Sequence, residues 1–597
     1  MTATTKKLAG WSAALCLCVG LGLAGCGLAP TPFSAEPAKS SNDQSVAEQT
    51  KQTKQTDTNG LVATPKEGLS AESESPVVGM AEDAAIGYDS YGYVPQEKNT
   101  EEYAKVEETG FVSTVASPLS TVSADVDTAS YANLRRMLLE GYRVQTASER
   151  AAGKEAGNDP DGSTSSTAPW SASSYDVIPT GAVRIEEMVN YFNYDYPKPE
   201  AKDGFAMSAQ VSTCPWNKDT ELLVLGYSTA AEDARVREKG ANLVFLIDVS
   251  GSMDNPDKLP LLQSAFGELV EDLGENDRVS IVTYSGHEQV VLDGASGADH
   301  RQIMQAVRGL KASGSTNGEA GLRTAYEIAE KHLVKGGVNR IVMASDGDLN
   351  VGMTSESDLH DFVAKKRESG VYLSVLGFGA GNYKDTKMET LADHGNGSYH
   401  YIDSESEAKR VFGERLTANL VPFANDVKVQ VEFNPAKVKG YRLIGYENRT
   451  MAAEDFKDDK KDAGEVGPES QFSVLYEVVP VDSPMEVPTP ELKYSQQSQE
   501  QREGAGEEWL TAKLRYKPLG KDESKEQSLT VSTGDWTNSP NDDWKFAVAV
   551  TEFGMLLRDS AYKGTATYDT VRELVGKTED AARVEFLDLV DRAQHNA

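Results

Sequence analysis

The 597-residue sequence predicts an α/β fold: a doubly wound, helix-covered sheet inserted into a mainly-β, sandwich-like flanking domain that ends in helices. Three observations carry this reading. Between residues 241 and 418, short apolar runs such as NLVFLID, RVSIVTYS and NRIVMASD alternate with amphipathic segments, as in a sheet buried on both faces. Before 240 and after 425 the runs alternate residue by residue, as FAMSAQVST and DVKVQVEFN do, which suits antiparallel strands with one wet face. From Gly27 to about Ser117 the chain is rich in Ser, Thr, Gln, Glu, Lys and Pro and shows no periodicity, so it reads as a disordered tether.

In chain order, residues 1–25 have the outline of a secretory signal: MTATTKK is a basic start and LAGWSAALCLCVGLGLAG an apolar run. That run is shorter than the ~20 residues a membrane span needs. Its end, Leu23-Ala24-Gly25-Cys26, resembles the bacterial lipobox, which implies cleavage before Cys26 and lipid attachment to its sulfur. The chain is therefore expected to be exported and lipid-anchored on the extracytoplasmic face, at the outer membrane if its source has one. Gly27 lacks the Asp associated with inner-membrane retention. Residues 26–117 are then the lipidated cysteine and its tether. Cys16 and Cys18 fall inside the signal, so only Cys214 remains, too few thiols for a disulfide or a thiolate zinc site.

Residues 118–240 form an N-terminal α+β module. LSTVSADVD is a strand, and Thr128 or Ser130 caps the helix SYANLRRMLLEG. A polar, Gly/Ser-rich insertion around 150–178 is a surface loop, and AVRIEEMVNYFNY puts Val183, Ile185, Met188, Val189 and Phe192 on one helical face. In the α/β domain, 241–418, Leu262, Phe266, Leu269 and Leu273 form one buried stripe. Residues 419–540 form a C-terminal β module that shares a sandwich with the strands before 240. Residues 541–597 are helices, of which WKFAVAVTEFGMLLRDS is the most apolar and is buried in protein, being too short and too interrupted to span a membrane.

Acidic residues outnumber basic ones by 93 to 59, a formal charge of −34. This repels nucleic acid and anionic lipid surfaces, so neither is an expected partner beyond the lipid anchor itself.

In doubly wound sheets ligands bind where loops leave the carboxyl ends of the strands. Three such loops carry hard oxygen donors: D248-V-S-G-S252, G314-S-T-N317 and S345-D-G-D348. Mg²⁺ favours near-octahedral oxygen ligands. Ser250, Ser252 and Thr316 supply hydroxyls, Asp248 and Asp346 carboxylates, and Gly251 lets both serines face one side. Two carboxylates nearly neutralise a divalent ion and leave it able to accept an anionic oxygen from outside. Helix capping would explain Asp or Ser at one loop, not the coincidence of three. Asp254, Asp257, Glu319 and Asp348 are expected to be solvated rim charges, His287 and His400 surface or edge residues, and Cys214 a partly buried bystander.

This constellation resembles the von Willebrand factor type A (vWA) domain and its metal-ion-dependent adhesion site (MIDAS), whose pattern is Asp-x-Ser-x-Ser, then Thr, then Asp. The resemblance implies a Rossmann-like vWA domain that holds Mg²⁺ (or Mn²⁺/Ca²⁺) through Asp248, Ser250, Ser252, Thr316 and Asp346, and a protein partner whose Asp or Glu completes the coordination. Stretches such as FVSTVASPLSTVSADVDTASYANLRRML, AVRIEEMVNYFNYDYP and VKVQVEFNPAKVKGYRLIGYENR are similar to exported bacterial vWA lipoproteins with matching flanking modules. Binding, as adhesion or contact with an envelope protein, is thus expected rather than catalysis. Two alternatives stand beside it. One is a phosphatase resembling haloacid dehalogenases, with Asp248 as nucleophile, although Ser250 occupies the place of its second carboxylate. The other is a structural spacer whose metal only stiffens loops.

Overall fold

β5 (Ala241–Asp248) and β8 (Val338–Ser345) are buried at each of their residues, which is why their sequences are apolar without alternation. They lie at the centre of a computed structural model that describes residues 99–145, 177–200, 204–231, 238–347, 356–490, 506–521 and 523–596. The signal, Cys26, most of the tether, nearly all of the polar insertion around 150–178 and Asp348 lie outside the described residues.

Ahead of β5 come β1 (Val112–Ser113), β2 (Leu119–Ser123), α1 (Ala129–Leu139), α2 (Ile185–Asn190), β3 (Phe205–Thr213) and β4 (Glu221–Thr229). After β5 the α/β domain continues with α3 (Leu259–Glu271), β6 (Arg278–Tyr284), β7 (Glu288–Ser296), α4 (His300–Arg308) and α5 (Gly318–Lys331). It ends with β8, α6 (Glu356–Arg367), β9 (Tyr372–Phe378), α7 (Asp385–His394), β10 (Tyr399–Ile402), α8 (Glu405–Lys409) and α9 (Leu416–Leu420). Then follow β11 (Ala424–Phe433), β12 (Val438–Ile444), β13 (Gly464–Val466), β14 (Gln471–Pro480), β15 (Glu508–Pro518) and β16 (Lys525–Ser532). The chain closes with α10 (Asp542–Arg558), α11 (Tyr568–Val575) and α12 (Ala581–His595).

The central sheet has six strands in the order β10-β9-β8-β5-β6-β7, parallel throughout except for β7, an antiparallel edge strand. Its two faces pack separate cores. One contains Phe245 and the α3 stripe Leu262, Phe266, Leu269 and Leu273; the other contains Leu246, Tyr284, Tyr326 and Met388. Burial of this apolar surface is the main stabilising term of the domain.

The flanking strands form two five-stranded antiparallel sheets around one core. In one, β4 pairs with β14; in the other, β2 pairs with β11. Strands from both sides of the α/β domain therefore interleave, and the chain leaves the sandwich after β4 and returns to it at β11. Buried α10 packs Phe546 and Phe553 against Phe586 of α12 and lies in one core with Met188 of α2. No helix among the described residues is long and apolar enough to cross a membrane.

Four expectations need correction. The tether ends before residue 117. Thr100 N donates to Gly381 O at 2.6 Å, Glu102 N to Tyr383 O at 2.9 Å, and Glu101 pairs with buried Arg136 at 3.1 Å. Main-chain hydrogen bonds and an ion pair hold this segment, and neither leaves a hydropathy signature. Thr128 is the N-cap residue of α1 but caps nothing: its hydroxyl meets Nδ1 of His400 at 3.0 Å, while the Ser130 hydroxyl donates to Ala182 O at 2.6 Å. His400 lies on the edge strand β10, one of the two placements expected, but it is buried rather than solvent-facing, and burial pushes its imidazole down to about 3; His287 is exposed as expected. Cys214 is 1% exposed, and burial raises its thiol well above the usual range, so it is an inert core residue.

Buried guanidinium groups fasten the α/β domain to its flanks. Arg184 bonds Asp385 of α7 at 2.6 Å and also Glu187; Arg135 bonds Asp403 at 2.6 Å and Glu407 at 2.9 Å; Arg449 reaches Asp393 at 2.6 Å. Breaking such a pair strands a buried carboxylate. Arg184→Met should therefore destabilise the protein by about 3–5 kcal/mol, read from its denaturant midpoint.

Acids at this junction add a pH dependence. Glu186 is raised from 4.5 to about 7, by burial first and then by the charges of Glu447 and Asp125. A folded-state pKa above the unfolded one means that the folded protein holds the extra proton. The stabilisation is full below pH 4.5 and is lost as the pH rises through about 7. The melting temperature should fall between about pH 5 and about pH 7.5, with a shallower slope in Glu186→Gln.

Candidate metal centre

β5 pairs with β8 in parallel, Ile247 opposite Ala344, so Asp248 closes one strand beside Ser345 and Asp346 at the end of the other. Both carboxylates are fully buried. Asp248 Oδ1 accepts from Ser250 N at 2.8 Å and Oδ2 from the Ser345 hydroxyl at 3.1 Å. The first loop thus folds back over the strand end. Ser250 is the N-cap residue of a short 3₁₀ turn, Gly251–Asp254, yet its side chain makes no capping bond. Its Oγ lies instead 3.1 Å from Oγ of Ser252. Capping therefore does not account for these serines.

The second loop is stitched to the first. Gly251 N donates to Gly314 O at 3.0 Å and Ser313 N to Val249 O at 2.7 Å. Gly314 has φ +81°, and a Cβ there would lie 2.5 Å from the Ser285 hydroxyl, which bonds Ser313 O. Only glycine suits this turn. Thr316 follows it, 7% exposed, just before Asn317, the N-cap residue of α5, so it stands outside the helix.

The structure brings Asp248, Ser250, Ser252 and Asp346 together and sets Thr316 in a loop bonded to theirs. Asp254 and Asp257 are exposed and Glu319 pairs with Arg323 at 2.8 Å, as rim charges do.

Sequence reasoning missed Lys258. Its Nζ lies 3.1 Å from Asp346 Oδ2 and 2.9 Å from Oδ1 of Asn382, whose Nδ2 donates to the same Asp346 oxygen at 3.1 Å. A usable signal was present: a lysine directly before a helix opposes the helix dipole, so some other partner has to hold it there. Ser345 and Asn382 carry no such signal, because their role depends on which strand ends adjoin.

The electrostatics fit a cation. Asp248 is raised from 3.8 to about 6, by burial first and then by the charge of Asp346. Two buried carboxylates beside paired hydroxyls are a hard-oxygen donor set short of positive charge, which a divalent ion would supply. A second acidic cluster lies away from this site: Asp426, Asp462 and Glu465 have oxygens within 4.8 Å of one another, but Lys517 already holds Asp426 at 2.6 Å and Arg367 holds Asp462 at 2.5 Å. A cavity of about 220 Å³ lined by Asp125, Asp127, Asp393 and Arg449 is likewise elsewhere.

Because ionised Asp248 is penalised in the ion-free protein, Asp248→Asn should raise stability in chelator by about 1–3 kcal/mol near neutral pH and abolish any stabilisation by added Mg²⁺. Thermal unfolding with and without the ion checks both.

Residues 242–414 match the family model of the von Willebrand factor type A domain, 418–595 that of the YfbK C-terminal region, and 97–152 with 164–224 that of von Willebrand factor. The chain is 36% identical over 507 residues to the uncharacterized protein YfbK of Escherichia coli (strain K12), covering 83% of this chain and 81% of that protein. It is 27% identical over 175 residues to human inter-alpha-trypsin inhibitor heavy chain H3, spanning 28% of this chain and only 20% of that one. Among solved structures, a von Willebrand factor type A protein from Catenulispora acidiphila is 16% identical with a TM-score of 0.37, over 68% of this chain and 89% of that chain.

Proposed function

Because the chain belongs to the YfbK family of von Willebrand factor type A proteins, we propose that it is a metal-dependent protein-binding module rather than an enzyme. One observation carries the reading: the serine hydroxyls, 3.1 Å apart, sit beside two buried carboxylates at the carboxyl edge of the parallel sheet. Asp248, Ser250, Ser252, Thr316 and Asp346 would hold Mg²⁺, with Mn²⁺ or Ca²⁺ as substitutes. When bound, the ion supplies an open coordination position for a hard anionic oxygen. The partner is a protein that presents an exposed Asp or Glu. The loops' mutual hydrogen bonds hold the donors in place before the ion arrives, which limits the ordering cost of binding.

Catalysis through an aspartyl-phosphate is disfavoured because the position two residues after Asp248 is Ser250, which cannot replace a carboxylic general acid. The lipobox-like Leu23–Cys26 segment supports a lipid anchor at Cys26 on the extracytoplasmic face of a membrane, with the tether giving the module reach.

Calorimetric titration of Mg²⁺ into the wild type should give saturable one-site binding that disappears in Ser250→Ala/Ser252→Ala, while the variant's melting profile in chelator stays close to wild type. Partner capture from an envelope extract should require the ion. Capture that persists in chelator with Asp248→Ala would defeat the reading.

A further inference from the structure

Lys258 is enclosed as few surface-derived lysines are: its side chain is 2% exposed, and the Asp346 carboxylate it meets is 0% exposed. A lone buried ammonium is costly, so this one stays with its carboxylate. The place is built for it. Gly379, just beyond β9, has φ +72°, and a Cβ there would collide with Cε of the lysine. At the other end its backbone is locked to the first loop and to α3: Lys258 N donates to Asn255 O at 3.0 Å and Leu262 N to Lys258 O at 2.9 Å. Asn382 bonds both the ammonium and the carboxylate, which closes a triangle.

The consequence is a matter of charge. Asp248 and Asp346 alone would bring a divalent ion to about zero net charge, so an outside carboxylate could still coordinate it but would gain no net charge to neutralise. With Lys258 in place the protein's share is one negative charge, and the bound ion retains one positive charge. We propose that Lys258 is an internal counter-cation that makes the centre hold its ion weakly by itself and favours an anionic ligand as the last donor. This deepens, and rests on, the metal-dependent binding reading above. It assigns the preference for a carboxylate partner to one side chain, which touches neither the partner nor the hydroxyl donors.

The test is calorimetric titration of Mn²⁺ into the wild-type protein, Lys258→Gln and Lys258→Met, each in chloride and in acetate buffer of equal ionic strength, with acetate as the carboxylate probe. The wild type should bind Mn²⁺ more tightly in acetate than in chloride. The Lys258 variants should bind at least about tenfold more tightly in chloride, as expected when a buried unit positive charge paired with the Asp346 carboxylate is removed, and respond little to acetate. Should both variants fail to fold, by melting profile in chelator, Asn382→Leu loosens the lysine's hold and should shift both quantities the same way. Wild-type affinity and acetate response in these variants, or weaker binding, would overturn the role of Lys258 while leaving the metal centre standing if Ser250→Ala/Ser252→Ala still abolishes binding. No Mn²⁺ binding by wild type or variants would overturn both.

Discussion

Parallel pairing of β5 with β8 is the constraint from which the site follows. With Ile247 opposite Ala344, the next residues along the two strands are Asp248 and the Ser345-Asp346 pair, and none can be moved without moving the sheet. Parallel strands expose their carboxyl ends together, so adjacent loops converge there and nowhere else. Burial then does the rest. Burial first, and then the charge of neighbouring Asp346, make Asp248 costly to ionise, and its carboxyl is pushed up to about 6. A site assembled this way is short of positive charge before any ligand is considered. Lys258 supplies part of it and a divalent ion would supply more.

The flanking domain holds the α/β domain that carries this buried, charge-rich site. Because β2 and β4 lie in the same two sheets as β11 and β14, both ends of the α/β domain are tied into one sandwich. The inserted domain is then gripped from the side by Arg184, Arg135 and Arg449, whose partners lie on α7 and around β10 and α8. Polar contacts of this kind specify a docking geometry through direction and charge, whereas apolar packing alone would leave the relative orientation less defined. The segment from Thr100 to Glu102 adds a main-chain clasp on the loop between β9 and α7, next to the residue that orients Lys258. Flank and candidate site are therefore joined through a few hydrogen bonds.

Much of the fold was legible because hydrophobic periodicity reports burial directly. NLVFLID could only be a strand covered on both faces, and Leu262, Phe266, Leu269 and Leu273 could only be one side of a helix. The candidate donors were legible for a different reason: Asp248, Ser250 and Ser252 are local in sequence, and Thr316 and Asp346 sit at strand ends and helix starts that periodicity also marks. What misled was polarity. The stretch before residue 117 looked like tether because hydrogen bonds to Gly381 and Tyr383 come from backbone atoms that every sequence has. Thr128 looked like a cap because a hydroxyl before a helix usually is one, until His400 from another strand took it.

By itself, the sequence determined which segments are buried, where the strands end and which oxygen donors stand at those ends, because each of these depends on residues close together in the chain. Only the tertiary structure decided that Ser345 would link the first and third loops, that Asn382 and Lys258 would both reach Asp346, and that Gly379 would open a slot for the lysine stem. Those contacts join residues up to 124 positions apart. Their free energy depends on distance and burial, which no local pattern encodes.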